Sequence, residues 1–492
     1  MKRVAIIGAG IAGIASAIRL AHKGYEVEVF EANEYAGGKL SSFEQDGYRF
    51  DAGPSLFTLP HLVEELFQLV GKKASDFFEY ERLSTICHYF WEDGTRLNAY
   101  AEPSKFAQEV EKILGISALK VEQFLKDSAF KYEVLDGLFL QDSLHKLSTW
   151  TSKKALRGYL NLPKLGIFGT MNHANEKYFR HPKLVQLFNR YATYNGSDPY
   201  QTPATLNIIP HLEYNVGAFF PKKGMVDITN VLVDLAKSIG VKFHFQYRVK
   251  EILTQNQQVK GIRVASQDRE EQEQELFFDK VVSNMDVTHT YRKLLPQSPH
   301  PDKLLNQPKS SSGVIFYWGV KKSFPELGLH NILFSDDYRE EFRVMFEDKK
   351  IFNDPTVYIN ISSKHKPDDA PEGCENWFVL INAPANEGQD WDKLIQDLRQ
   401  QVIQKVSRIL SCDLASLIET EAILDPRSIE LKTSSAQGAL YGNSSNNKYA
   451  AFLRHANFSK TIKDLYFVGG SVHPGGGIPL ALSSAKIMAK EL

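Results

Sequence analysis

The sequence predicts an α/β protein whose parallel sheet draws strands from both ends of the chain, with an α+β domain inserted between them. Three observations predict it. Val4-Ala5-Ile6-Ile7 is a short unbroken apolar run, as a strand buried on both faces requires, and it feeds directly into Gly8-Ala9-Gly10-Ile11-Ala12-Gly13. The far end repeats the pattern, with Leu465-Tyr466-Phe467-Val468 running into Gly469-Gly470 and a helical stretch following from Leu480 to Leu492. Between them, a helix over Val226 to Ile239 is stopped by Gly240, and Val241 to Phe245, Val249 to Leu253 and Gly261 to Val264 read as strands.

The first strand, turn and helix make a nucleotide site. Ile14, Ala17, Ile18 and Ala21 recur at helical spacing up to Gly24, and Val27, Val29 and Phe30 form a second strand ending at Glu31. Gly8 permits the tight turn, Gly10 lets backbone approach a pyrophosphate, and Gly13 lets helix pack closely on strand. The helix start offers unpaired N–H groups and a partial positive charge to the phosphates. Glu31 is placed to accept hydrogen bonds from ribose hydroxyls, and its carboxylate disfavours a 2′-phosphate.

Further on, Gly37-Gly38-Lys39 supplies a second stretch of bare backbone followed by a cation to set against the pyrophosphate. At the carboxy-terminal end, Ser471-Val472-His473-Pro474-Gly475-Gly476-Gly477-Ile478-Pro479 follows the glycine turn, with Pro479 expected at the first helical position. That helix start offers its partial positive end to whatever lies against the glycines. His473 is a candidate proton carrier there.

Composition sets the bounds. With 492 residues, two or three domains are expected. Lys and Arg total 58 against 59 for Asp and Glu, so there is no electrostatic motive for wholesale nucleic-acid binding. Cys87, Cys374 and Cys412 lie far apart with no CxxC or Cys/His cluster, so no metal site and no disulfide framework is predicted, and a cytoplasmic setting is the expectation. The opening apolar stretch is broken by glycines and reads as strand, turn and helix rather than a signal peptide. No uncharged apolar run is long enough to span a membrane.

Gly37-Gly38-Lys39 after Glu31 resembles the motif of the FAD-binding flavoprotein amine oxidase superfamily, and Asp51-Ala52-Gly53-Pro54-Ser55 matches a stretch that runs close to the flavin ring there. Pro474-Gly475-Gly476-Gly477-Ile478-Pro479 after a Val-Gly-Gly strand end closely resembles the signature of its carotenoid (phytoene desaturase-like) desaturase branch. Arg190 to Tyr200 looks the same. His330-Asn331-Ile332, Asp354 to Asn360 and Ala370 to Phe378 look closest to the 1-hydroxycarotenoid 3,4-desaturase subgroup. The general resemblance covers essentially the whole chain.

The resemblance implies a Rossmann-like, discontinuous FAD domain over 1–75, 218–288 and 425–492. A substrate domain over 76–217 and 289–424 would carry a mixed sheet and a helical membrane-facing part. It assigns the flavin to Gly8, Gly10, Ala12, Gly13, Glu31, Ala32, Gly38 and Lys39 at one end, with Gly53, Pro54 and Ser55 along the ring. Val249, Asn284 and Asp286 follow in the middle, then Gly470, Ser471, Gly477, Ile478 and Pro479. One departure stands out: many relatives carry an acid just after the glycines, where this chain has Ser471.

The implied activity is FAD-dependent desaturation of a 1-hydroxylated carotenoid, by hydride transfer to flavin N5 and proton loss, with oxygen or a quinone as the electron acceptor. Asp51, Asp198 and His473 are the groups offered as a general base, and a terminal hydroxyl needs a polar partner at one end of the substrate tunnel. From Leu144 to Phe168, lysines and Arg157 interleave with Leu147, Trp150, Leu156, Tyr159 and Leu160, the pattern of a segment lying in a membrane interface. The expected location is cytoplasmic and peripheral to a membrane. The rival readings are a phytoene desaturase, a carotenoid isomerase or saturase, an amine oxidase, and a prenyl-lipid binder resembling the Rab GDP-dissociation inhibitors.

Overall fold

A computed structural model describes residues 2–269, 272–447 and 454–492. Of the Glu/Gln run that the sequence places on a hairpin tip (Arg269 to Glu275), Glu270 and Glu271 lie outside these residues. The exposed strand Glu273–Phe277 follows them.

Five strands make the parallel sheet: β1 (Arg3–Ile7), β2 (Glu26–Phe30), β3 (Lys242–His244), β4 (Lys280–Ser283) and β5 (Leu465–Phe467). Their spatial order is β5-β4-β1-β2-β3, every pair parallel. Alternation sorts the side chains to two faces. Val4, Ile6, Val27 and Val29 join one buried cluster with helices α1 (Ile11–His22), α2 (Asp227–Ser238) and α3 (Ile478–Ala489). Ala5, Ile7 and Phe30 join another beneath an antiparallel sheet of Tyr247–Gln255, Gln258–Ser266 and Glu273–Phe277. Burial on both faces explains why β1 reads as an unbroken apolar run.

The other domain holds a seven-stranded mixed sheet, in spatial order Ile418–Leu424, Ser312–Val320, Glu375–Ala383, Val357–Asn360, His330–Leu333, Thr85–Phe90 and Arg96–Tyr100. Only His330–Leu333 with Thr85–Phe90 is a parallel pair. Its outer face packs Trp318, Trp377 and Val379 under the long helix Trp391–Leu410, which turns Ile395, Leu398 and Val402 inward at helical spacing. The inner face turns Ile315, Tyr317, Phe378 and Tyr358 towards Phe50 and the first domain.

One local expectation is revised. α3 begins at Ile478, so Pro479 is its second residue, because Gly477 at φ +102° completes the turn earlier. Its missing N–H is harmless anywhere in the first turn. The Leu144 to Phe168 stretch is built of short helical pieces. Ser152 accepts the Ala155 N–H and starts a new helix, Lys153–Leu160, after a short turn of helix at Leu147–Trp150. Leu147, Leu160 and Phe168 are nonetheless 80%, 75% and 85% exposed. Among the described residues no helix is long and apolar enough to cross a membrane.

Candidate active site

The first glycine turn is closed by backbone. Gly8, at φ +93°, donates its N–H to the Phe30 carbonyl at 2.8 Å. A Cβ on Gly13 would sit 2.2 Å from the Gly8 carbonyl oxygen, so helix and strand approach as only glycine allows. Ala12 is buried in the same turn. The Glu31 carboxylate, buried at the end of β2, accepts the Ala9 N–H at 2.7 Å and the Asn33 N–H at 2.9 Å. Burial pushes its pKa up against those donors. The Tyr247 N–H bonds the Glu31 carbonyl at 2.9 Å and Gln267 Nε2 bonds that of Ala32 at 2.6 Å, which brings the strand bearing Val249 beside the acid.

The second glycine pair lies against the first. Gly37 donates its N–H to the Ala9 carbonyl at 2.8 Å, and a Cβ on Gly38 would be 3.6 Å from the Gly10 Cα. A Cβ on Gly53 would fall 1.8 Å from the Lys39 carbonyl oxygen, so the segment through Pro54 and Ser55 is stacked on this pair. Lys39 Nζ donates to the carbonyls of Leu440 (3.0 Å) and Ala439 (3.4 Å). Burial, opposed by Asp286, pulls its pKa down to about 8.

The carboxy-terminal glycines join this cradle through Asn284, at the end of β4. Its Oδ1 accepts the Gly13 N–H at 3.0 Å and its Nδ2 donates to the Val468 carbonyl at 3.3 Å. A Cβ on Gly470 would touch Gly476 at 3.2 Å. Ser471 Oγ accepts the Val287 N–H at 2.9 Å, and Asp286 caps the same short helix through the Thr288 N–H at 2.8 Å. Gly477 is exposed, with no atom within 4 Å of where its Cβ would lie, and it opens onto the start of α3 beside Ile478. That is bare backbone at a helix terminus facing open space.

The three groups offered as bases are all engaged. Asp51 accepts the Met225 and Val226 N–H groups at 2.9 and 3.0 Å, ahead of α2, and pairs with Arg49. Asp198 accepts from the Tyr200 N–H and from Gln201 Nε2, each at 2.8 Å. His473 is fully buried, with Nε2 3.1 Å from the Asp142 carbonyl, and burial pushes its ring down to about 4.

Sequence reasoning missed two features. Arg454 is buried with no acid beside it and donates to the carbonyls of Tyr441, Gly470 and Asn443 at 3.0–3.1 Å, tying that loop to the glycines. In the second domain Glu213 accepts from Arg190 (2.9 Å), Tyr191 (2.5 Å) and Tyr194, while Arg190 also reaches Tyr89 at 2.8 Å. The Arg190 to Tyr194 run was visible as a motif, but Glu213 carried no local signal.

The paired glycine turns, the buried acid at the end of β2 and the open glycine at a helix start fit an adenine dinucleotide carrying a planar ring, as FAD does. The family model described as flavin containing amine oxidoreductase matches residues 11–492. A 1-hydroxycarotenoid 3,4-desaturase from Flavobacterium sp. (strain P99-3) is 52% identical, over 99% of this chain and 98% of that protein. A 4,4'-diapolycopene oxygenase from Methylomonas sp is 32% identical, over 100% and 98%. A phytoene desaturase from Fusarium fujikuroi is 30% identical, over 100% and 89%. Among solved structures, a variant of putrescine oxidase superposes with TM-score 0.64 at 11% identity, over 100% and 97% of the two chains. A Rab GDI from Plasmodium falciparum does so with TM-score 0.52 at 13% identity, over 99% and 97%. These two likenesses establish the fold.

Proposed function

The chain belongs to the flavin containing amine oxidoreductase family and is an FAD-dependent oxidoreductase, and from that premise we propose that it desaturates a 1-hydroxylated carotenoid at the 3,4 position. The observation that carries this reading is the end-to-end identity with the Flavobacterium 1-hydroxycarotenoid 3,4-desaturase. When bound, FAD supplies the two-electron acceptor for a hydride, which no side chain can provide. Loss of that hydride and of a proton from the adjacent carbon forms the new C=C bond.

The chain's own part is to hold and to shield. We assign 1–75, 218–288 and 425–492 to cofactor binding, with Gly8, Gly10, Gly13 and Gly38 along the pyrophosphate, Glu31 on the ribose and Gly477 to Pro479 at the ring. The substrate would lie between Gly53–Ser55 and the inner face of the seven-stranded sheet. Ile315, Phe378 and Leu380 on that face keep water from the reacting carbons. We give His473 an ordering task, because its buried ring is hydrogen-bonded to backbone. A prenyl-lipid binder of the same fold has no use for the open glycine, Gly477, at the start of α3.

We further assign membrane contact to 144–168. Exposed Leu147, Leu160 and Phe168 beside Lys153 and Arg157 support a peripheral position from which an insoluble polyene can enter. The test is to incubate FAD-loaded protein with liposomes carrying a 1-hydroxylated acyclic or monocyclic carotenoid, following absorbance and mass. A red-shifted product lighter by two hydrogens is expected. Flavin that stays oxidised without air, beside unchanged carotenoid, overturns the reading.

A further inference from the structure

We propose that Ser55 and Tyr358 bind the hydroxyl of the substrate, held in place for that task by His330. The inference rests on the reading above and adds the residues that select a hydroxylated chain. In 3,4-desaturation the hydroxyl on C1 is only three bonds from C3, so its partner must sit beside the reacting carbons. The far end of a tunnel is too distant.

The inner face of the seven-stranded sheet is mostly apolar or already satisfied where it meets the Asp51–Ser55 segment. Ile315, Phe378 and Leu380 are apolar, and the Tyr317 hydroxyl donates to the Ala52 carbonyl at 2.7 Å. Arg190 and its tyrosines are satisfied by Glu213. Tyr358 differs. Its hydroxyl lies 2.7 Å from Ser55 Oγ and 2.7 Å from His330 Nδ1, and both Tyr358 and Ser55 are half-buried rather than closed off.

The chain is anchored at its inner end. Asn360 Nδ2 donates to the Leu329 carbonyl at 3.1 Å and lies 3.2 Å from His330 Nδ1. His330 Nδ1, the Tyr358 hydroxyl and Ser55 Oγ follow one another outward, and each hydroxyl can donate or accept, so the half-buried outer pair is left to meet a substrate hydroxyl. Burial, with the charges of His365, Arg190 and His88, pushes His330 down to about 3, so the ring stays neutral. Burial pushes the Tyr358 hydroxyl up, and it remains a donor. Among the described residues His330 Nε2 has no partner and is buried, so His330 is a positioning residue that reaches the substrate through Tyr358.

The test uses FAD-loaded wild type, Ser55→Ala, Tyr358→Phe and His330→Leu. Each is given a 1-hydroxycarotenoid and the same carotenoid without the hydroxyl. Kd is read from quenching of tryptophan fluorescence, and KM and kcat are read where turnover occurs. Wild type is expected to bind the hydroxylated chain roughly tenfold tighter. Ser55→Ala and Tyr358→Phe should lose that preference while binding the plain carotenoid within about twofold of wild type. His330→Leu should follow them at unchanged flavin content. Equal weakening towards both carotenoids, or a preference that survives Tyr358→Phe and Ser55→Ala, overturns the proposal. If wild type converts neither carotenoid, the desaturase reading fails, and the binding ratios still decide whether these residues recognise a hydroxyl.

Discussion

The glycine cradle of the parallel sheet and the tyrosine cluster of the second domain are both buried and polar, yet they are built in opposite ways. The cradle is backbone against backbone: Gly13 on Gly8, Gly38 on Gly10, Gly470 on Gly476. The cluster is side chain against side chain, with one carboxylate, Glu213, receiving a guanidinium and two phenols. The first has no room for a methyl where Gly13 meets Gly8, and the second tolerates no lost charge. Their failures should therefore be separable.

The largest effect is expected in the cluster. Glu213→Ala leaves Arg190 buried without its carboxylate and should lower stability by about 3–5 kcal/mol, read from urea unfolding. Flavin content of the folded fraction should be unchanged. Loss of flavin in proportion to stability would mean that the two regions act as one unit.

Next comes acid. His473 is held neutral by burial, with a folded pKa of about 4 against an ordinary 6.5. The folded form thus refuses a proton that the unfolded chain accepts. The stability is fully present above pH 6.5 and is lost as pH falls towards 4, by about 3 kcal/mol at most. Flavin release measured across that window should follow it. His473→Gln, which keeps a donor to the Asp142 carbonyl, should make the curve shallower and retain turnover, whereas abolished turnover at full flavin content would make His473 the proton carrier.

The smallest effect on stability belongs to the cradle. Gly13→Ala forces a methyl against the Gly8 carbonyl and should take away about 1–3 kcal/mol. The flavin-to-protein absorbance ratio should drop roughly tenfold, because the helix start moves off the phosphates. An unchanged ratio would break the comparison.

The same contrast governs what the sequence could reveal. Glycine turns are written locally, each next to its own strand and helix, so β1, β2, β5 and both cradles could be read from spacing. Pro479 was misplaced by one position because φ at Gly477 is not written in the residue names. The carbonyl partners of Lys39 could not be read, because Ala439 and Leu440 are brought to it only by tertiary folding. Glu213 and Arg454 were invisible for the same reason, each meeting partners on other elements.

Asn284 touches the first glycine helix and the last strand with one carboxamide. That contact dates the cofactor's arrival. On a ribosome adding roughly 5–20 residues per second, on the order of half a minute to a minute and a half separates the emergence of Gly13 from that of Val468. From the moment β4 emerges until Val468 does, β4 lacks its outer neighbour and Asn284 lacks one of its two partners. The nascent amino-terminal half is a waiting half-site, so flavin is captured after synthesis, and a chain that stops short of Leu465 is expected to stay colourless however well its first domain folds.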